Sequence, residues 1–185
     1  FKPTISQFRK QYDCEDKYII LGVSFEWEKR KGLDIFIELA QILPDSFQIV
    51  LVGTNFVIDK QLPNNIISIH RTNSQAELAK IYSAADLLIN PTREENFPTI
   101  NIESLACGTP VLTFATGGST EIIDSSCGKS VETGNFDKLL NTIFEIQQNQ
   151  PFTESSCLAR AQKYSRQDKF EEYYALYQEI MKEKA

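Results

Sequence analysis

Between Lys17 and Val131 the chain alternates short β-branched runs with longer stretches of helical period, and no other feature restricts its fold as sharply. Antiparallel neighbours can be joined by a two-residue turn, but parallel strands need a crossover of about a dozen residues or more. Short apolar runs separated by helix-length segments therefore specify βαβ units and a parallel sheet. The spacing predicts strands at Tyr18–Val23, Phe47–Val52, Ile66–Ile69, Leu87–Asn90, Val111–Phe114 and, from a weaker run, Lys129–Val131. Helices must cover both faces of such a sheet, because its strands are apolar on both sides. The class is α/β.

The helices follow from apolar stripes and their stops. Leu33, Phe36, Ile37, Ala40 and Leu43 share one face, and Pro44 ends the helix. Leu78, Ile81, Tyr82 and Ala85 form a second stripe behind Ser74, a predicted N-cap with Glu77 as its capping-box partner. Ile100, Leu105 and Ala106 bury a third helix that Gly108 and Pro110 terminate. Leu139, Leu140, Ile143, Phe144 and Ile146 mark a fourth, between Gly134 and Pro151. A last helix, Gln167 to Lys184, carries Phe170, Tyr173, Leu176, Tyr177, Ile180 and Met181, for which core packing is the expected account. With 185 residues the length suits one domain, taken as 1–185.

Composition narrows the function classes. A hydrophobic content of 42% with 24% charged residues describes a globular chain rather than a disordered one. The net charge of −6 argues against nucleic acid as a partner, since phosphate contacts need clustered Lys and Arg, and Lys29-Arg30-Lys31 is too short to supply them. Cys14, Cys107, Cys127 and Cys157 lie far apart with no Cys-x-x-Cys pair, so neither a zinc site nor a disulfide framework is expected. Reduced thiols and the lack of a signal peptide or membrane-length apolar run fit a cytoplasmic protein. The chain starts at Phe1 rather than Met and reads as a piece of a longer one.

In an open parallel sheet, ligands bind beyond the carboxyl ends of the strands. Ser24 and the cations Lys29, Arg30 and Lys31 follow the first strand, and Arg71 and Thr72 follow the third, where exposed backbone could meet the edge of a flat ring. After the fourth strand comes Glu95-Asn96-Phe97-Pro98-Thr99-Ile100 with Glu103. Pro98 suits a first helical turn, leaving the amides of Thr99 and Ile100 for an anion. Thr99 and Glu103, four apart, share a face, which aims Glu103 into the crevice. From spacing alone, Glu95 and Glu103 admit two accounts: they grip ligand hydroxyls, or they merely solubilise a helix and favour its positive end. Thr116-Gly117-Gly118-Ser119 offers a loop that backbone can approach closely.

Taken in order, Lys31-Gly32, Tyr82-Ser83-Ala84-Ala85-Asp86, Asn90-Pro91, Glu95-Asn96-Phe97-Pro98 with Glu103, Ala106-Cys107-Gly108-Thr109-Pro110-Val111, and Gly117-Gly118 with Glu121 resemble the C-terminal half of family-four retaining glycosyltransferases. The resemblance covers nearly the whole chain and implies a Rossmann-like parallel sheet with helices on both faces, half of a GT-B fold. It implies a nucleotide-sugar-binding domain whose own N-terminal acceptor domain is absent. The implied reaction is hexosyl transfer from a nucleotide-diphosphate sugar to a glycan or lipid-linked acceptor, in bacterial polysaccharide synthesis, with peripheral membrane association through the missing domain.

By that resemblance Glu95 and Lys31 are the catalytic pair, Glu95 meeting the sugar and Lys31 neutralising the diphosphate. Glu103 holds the ribose, and amides near Phe97, Thr99 and Ile100 hold the phosphates. No cofactor and no metal are implied. The chain departs from the family in two places. Val23-Ser24 stands where an arginine is common, leaving Arg30 or Lys29 as substitutes, and Asn96-Phe97-Pro98 replaces Gly-Phe-Gly, which removes an amide donor. The resemblance also implies that the last helix crosses back toward the N-terminal domain. Rivals are a GT-B-type sugar-nucleotide epimerase and a nucleotide-binding module without catalysis.

Overall fold

Tyr18–Val23 (β1), Phe47–Val52 (β2), Ile66–Ile69 (β3), Leu87–Asn90 (β4), Val111–Phe114 (β5) and Gly128–Val131 (β6) pair in one parallel sheet of order β3-β2-β1-β4-β5-β6. The computed structural model of the protein describes the backbone of residues 1–183 and the side chains of residues 1–182. Five strands have the bounds that the apolar runs predict, and β6 starts one residue early, at Gly128. Tyr18 pairs with Phe47 and Ile20 with Leu87, so β1 lies between its neighbours as the central strand of the switch.

Alternation along the strands divides the core. Ile20, Ile49, Leu51, Leu87, Ile89 and Phe114 face Leu33–Ile42 (the second helix) and Phe136–Asn149 (the seventh). Ile19, Leu21, Val50, Val52, Leu88 and Val111 face Gln75–Ala84 (the fourth), Thr99–Ala106 (the fifth) and Glu154–Gln162 (the eighth). With the short helices Phe8–Gln11, Phe56–Asp59 and Ser119–Ile122 counted in chain order, these are α1 to α8. Sequence periodicity misses the three short helices because a single turn has no stripe to read. It misses α8, where Cys157 and Ala161 are buried, because small residues dilute the apolar signal.

Several motif residues hold the scaffold. Asp86 Oδ2 accepts the Ile19 amide and the Arg9 guanidinium, both at 2.6 Å, and so fastens the entry of β4 to β1. The Thr109 hydroxyl donates to the Tyr82 carbonyl at 2.6 Å, and the Ser104 hydroxyl to the Thr109 carbonyl at 3.0 Å. At the start of α4, Ser74 caps the Glu77 amide, but the Glu77 carboxylate accepts from the Asn73 amide, one residue beyond the expected box.

The last helix, Arg166–Glu183 (α9), corrects an expectation: Phe170, Tyr173, Leu176, Tyr177, Ile180 and Met181 are exposed rather than packed in the core. The other helices already cover both sheet faces, and an apolar stripe specifies a buried side without specifying its partner. Lys184, at the predicted end, lies outside the described residues.

Phe36, fully buried, packs edge-on against Trp27 with ring centroids 5.4 Å apart, beneath the loop that follows β1. Phe36→Ala should lower unfolding free energy by about 3–5 kcal/mol in urea denaturation, since the cavity left cannot collapse onto a pleated sheet. A loss below about 1 kcal/mol would mean that this face of the core repacks freely.

Candidate functional site

Beyond β1 the chain crosses to the face of α2, and beyond β4 to the face of α5, so the carboxyl ends of these adjacent strands leave a crevice. A cavity of about 340 Å³ occupies it. Val23, Ser24, Phe25, Glu26 and Trp27 line it after β1, with Arg30 and Lys31 from a 3-10 turn, Lys29–Lys31. Asn90 and Pro91 line it at the end of β4, followed by Glu95, Phe97 and Pro98 and by Thr99 and Ile100 of α5. The indole N–H of Trp27 donates to the Val52 carbonyl at 3.0 Å, which ties the first of these walls to β2.

Backbone sterics bring the walls together. Gly32 has φ +81°, and a Cβ there would lie 2.5 Å from Pro91 Cγ and 2.7 Å from the Pro91 carbonyl oxygen, so only glycine lets the cation turn rest on the loop after β4. The Arg93 amide donates to the Arg30 carbonyl at 2.9 Å, and its guanidinium forks the Asp34 carboxylate with two bonds of 2.9 Å. Lys31 Nζ consequently sits 2.9 Å from Glu95 Oε2, with both side chains largely buried. The other Glu95 oxygen accepts the Asn96 amide at 3.0 Å. At Gly117, φ +46°, a Cβ would come within 1.8 Å of the Glu95 carbonyl oxygen, and the Gly118 amide donates to the Asn96 carbonyl at 2.7 Å. The close approach allowed by the glycine pair is thus made by the chain's own loop.

Pro98 occupies the N-cap of α5 and no side chain caps the helix, so its first amides, Thr99 and Ile100, point out of the helix toward the cavity. Arg30 lines the rim, but its guanidinium lies 2.6 Å from Glu28.

Four predicted residues fall elsewhere. Arg71 and Thr72 do not line this cavity, because β2 separates β3 from β1. The Asn96 side chain is exposed at its edge. Glu103 shares a helical face with Thr99 as the spacing requires, yet it lines a second cavity of about 490 Å³ with Phe1, Pro3, Tyr164 and Arg166. The segment before Thr4 and the turn between α8 and α9 form that side's wall, so Glu103 does not meet Lys31 and Glu95 in one cavity. Its carboxylate accepts the Tyr82 hydroxyl at 3.0 Å. Burial raises the Glu103 pKa above the usual carboxylate value, and the Tyr82 and Thr99 hydroxyls partly oppose the rise.

Sequence reasoning overlooks Arg93, Asp34 and Trp27. Trp27, the single tryptophan beside the first strand, carries a signal that could have been read, whereas the Arg93–Asp34 fork joins positions far apart in sequence. The lone histidine, His70, pairs with Asp59 at 2.6 Å beside the ring of Phe56. Together with the Ser68 hydroxyl, His70 holds the Asp59 carboxyl below its usual pKa.

The family described as glycosyl transferases group 1 matches residues 4–168. The chain belongs to this family. Among curated relatives it is 28% identical over 136 residues to D-inositol 3-phosphate glycosyltransferase of Mycolicibacterium gilvum, covering 66% of this chain and 30% of the relative. It is 30% identical over 128 residues to an uncharacterized glycosyltransferase of Methanocaldococcus jannaschii, covering 65% and 36%. Among solved structures, sucrose-phosphate synthase of Thermosynechococcus elongatus superposes with a TM-score of 0.78 at 25% identity, covering 98% of this chain and 50% of that one. HepE of Anabaena, solved with UDP-glucose, superposes at 0.70 with 22% identity over 87% and 47% of the two chains. This group 1 glycosyl transferase chain spans about a third of those curated relatives and half of those solved chains. Its Rossmann-like sheet is of the GT-B type. Among the described residues no helix is long and apolar enough to cross a membrane. All four cysteines are buried and unpaired.

The raised Glu103 pKa sets a direction for stability. The folded carboxyl holds its proton more tightly than the unfolded one, so this contribution is fully present below the ordinary value of 4.5 and is lost as pH rises through the raised folded value. Urea denaturation of the parent and of Glu103→Gln across that window should show the variant gaining relative stability as pH rises. A constant difference between the two would show that the buried carboxyl titrates normally.

Proposed function

We propose that the chain is the donor-binding domain of a retaining glycosyltransferase, and that it holds a nucleotide-diphosphate sugar at the β1–β4 crevice. One observation carries the reading: a cation, a carboxylate and the uncapped start of a helix converge in the cavity at the strand-order switch of a group 1 glycosyl transferase. Lys31 and the amides of Thr99 and Ile100 hold the diphosphate and stabilise its charge as it leaves, in a partly dry site where such stabilisation is strong. Glu95 meets hydroxyls of the transferred hexosyl group. Glu103, one turn along the same helix, takes the ribose hydroxyls once the nucleoside spans the two cavities, and Ser24, Arg30, Asn96 and Phe97 complete the wall. Arg71 and Thr72 lie toward the β3 edge, where a base extending from that ribose would reach. The UDP-glucose complex of HepE supports a nucleoside diphosphate sugar as donor.

The acceptor, a glycan or lipid-linked group in polysaccharide synthesis at the cytoplasmic membrane surface, is held by a second domain outside this chain. The exposed aromatic stripe of α9 faces that domain.

Calorimetry against UDP, GDP and ADP tests the donor site. At least one should bind, and Glu103→Ala should weaken binding of nucleotide and sugar nucleotide alike, since losing a buried charge-assisted hydrogen bond costs about 1.5–3 kcal/mol. Silence from all three nucleotides at millimolar concentration would dismiss the reading. In the longer enzyme, Glu95→Gln should lower turnover. The 185-residue chain alone should transfer no sugar, because in this reading the second domain is what positions the acceptor hydroxyl at the anomeric carbon.

A further inference from the structure

Both cations that line the crevice are already paired with a carboxylate. Lys31 Nζ lies 2.9 Å from Glu95 Oε2, with 25% of the lysine side chain and 19% of the glutamate side chain exposed. Arg30, the second cation of the lining, is 2.6 Å from Glu28. A diphosphate entering the cavity therefore finds its best cation engaged by the carboxylate assigned to the sugar. The backbone locks this arrangement. Gly32 seats the lysine turn on Pro91, the Arg93 fork fastens it to α2, and Gly117 presses on the Glu95 carbonyl. None of these backbone contacts depends on the ion pair itself.

Resting on the donor-site reading, we propose that the Lys31–Glu95 ion pair is a built-in competitor for the diphosphate, so that donor binding is an exchange of partners rather than an addition. The incoming diphosphate takes Lys31 and strips Glu95 of its counter-charge. A largely buried carboxylate left unpaired is unfavourable, and it must find new hydrogen-bond donors. The hydroxyls of an attached sugar supply them; a bare nucleoside diphosphate does not. The exchange consequently favours the loaded donor over the spent nucleotide. Once the sugar has left, Glu95 reclaims Lys31 and drives the nucleotide out. The ion pair ties recognition of the sugar to recognition of the phosphates, although the two groups touch different side chains.

The exchange makes a prediction opposite in sign to a simple contact. Glu95→Gln, close to isosteric, should bind UDP, GDP or ADP more tightly than the parent, by about 3- to 10-fold for a lysine released from competition. The preference for the glucose conjugate over the bare nucleotide should shrink by a similar factor. A thermodynamic cycle with Lys31→Met separates exchange from plain charge repulsion. Under exchange, Lys31→Met costs more nucleotide affinity in the Glu95→Gln background than in the parent, because the lysine there has no rival partner. Under independent repulsion the two costs are equal. Calorimetry with each nucleotide and its glucose conjugate on the four proteins, each first shown to unfold cooperatively, reads all of this. Unchanged or weaker nucleotide binding by Glu95→Gln, or an additive cycle, overturns the exchange and leaves the donor site standing. No binding to the parent or to Glu95→Gln overturns both.

Discussion

At β1 and β4 two adjacent parallel strands send their crossovers to opposite faces, so no helix closes the gap beyond their carboxyl ends. The chain fills it with loops, and loops can approach only where side chains permit. Gly32 on Pro91 is the contact on which the rest depends. Any Cβ at Gly32 would push the cation turn off the loop after β4. The Arg93–Asp34 fork, the Lys31–Glu95 pair and the wall of the cavity all sit across that same contact. A backbone approach made possible by a missing methyl group thus sets the distance between the charges that define the site.

The electrostatics follow from that geometry. In a chain with a net charge of −6, two cations and an uncapped helix start meet at one crevice, features that suit the anionic donor proposed for it. The same crevice supplies its own carboxylates. Glu28 engages Arg30 and Glu95 engages Lys31, so both cations are partnered before any ligand arrives. Selectivity in such a site comes from what each partner receives in exchange more than from raw attraction. Glu103 behaves differently: set in the neighbouring cavity beside Tyr82, it has a raised pKa that reflects burial rather than pairing.

Motif residues divide by the job that the structure gives them. Asp86 and Thr109 make buried or half-buried bonds that pin strand and helix ends, and Gly117 and Gly118 brace the loop that carries Glu95. These belong to the scaffold although they stand beside the chemistry in the sequence pattern. Lys31, Asn90, Pro91, Glu95, Phe97 and Pro98 of the pattern line the crevice itself, joined by Thr99 and Ile100 of the helix that follows.

Strand positions, both sheet faces and the helix starting at Thr99 were legible in the sequence, because apolar period and helix punctuation are local properties of the chain. The candidate residues near the crevice were legible too, since in a parallel sheet every βα loop emerges at the same edge. The resemblance supplied the roles expected of them, which spacing alone left open. Partnership was not legible. Nothing in residues 170 to 181 says that their aromatic stripe stays exposed, and nothing in the spacing of Glu95 and Glu103 says that one faces Lys31 while the other faces Tyr82. Arg93 and Asp34 lie 59 positions apart, and only the packing of the turn on Pro91 makes them meet. The sequence determined which segments fold and toward which edge their loops run. Tertiary structure alone decided which charges face one another, because that choice depends on contacts between loops whose spacing along the chain carries no period.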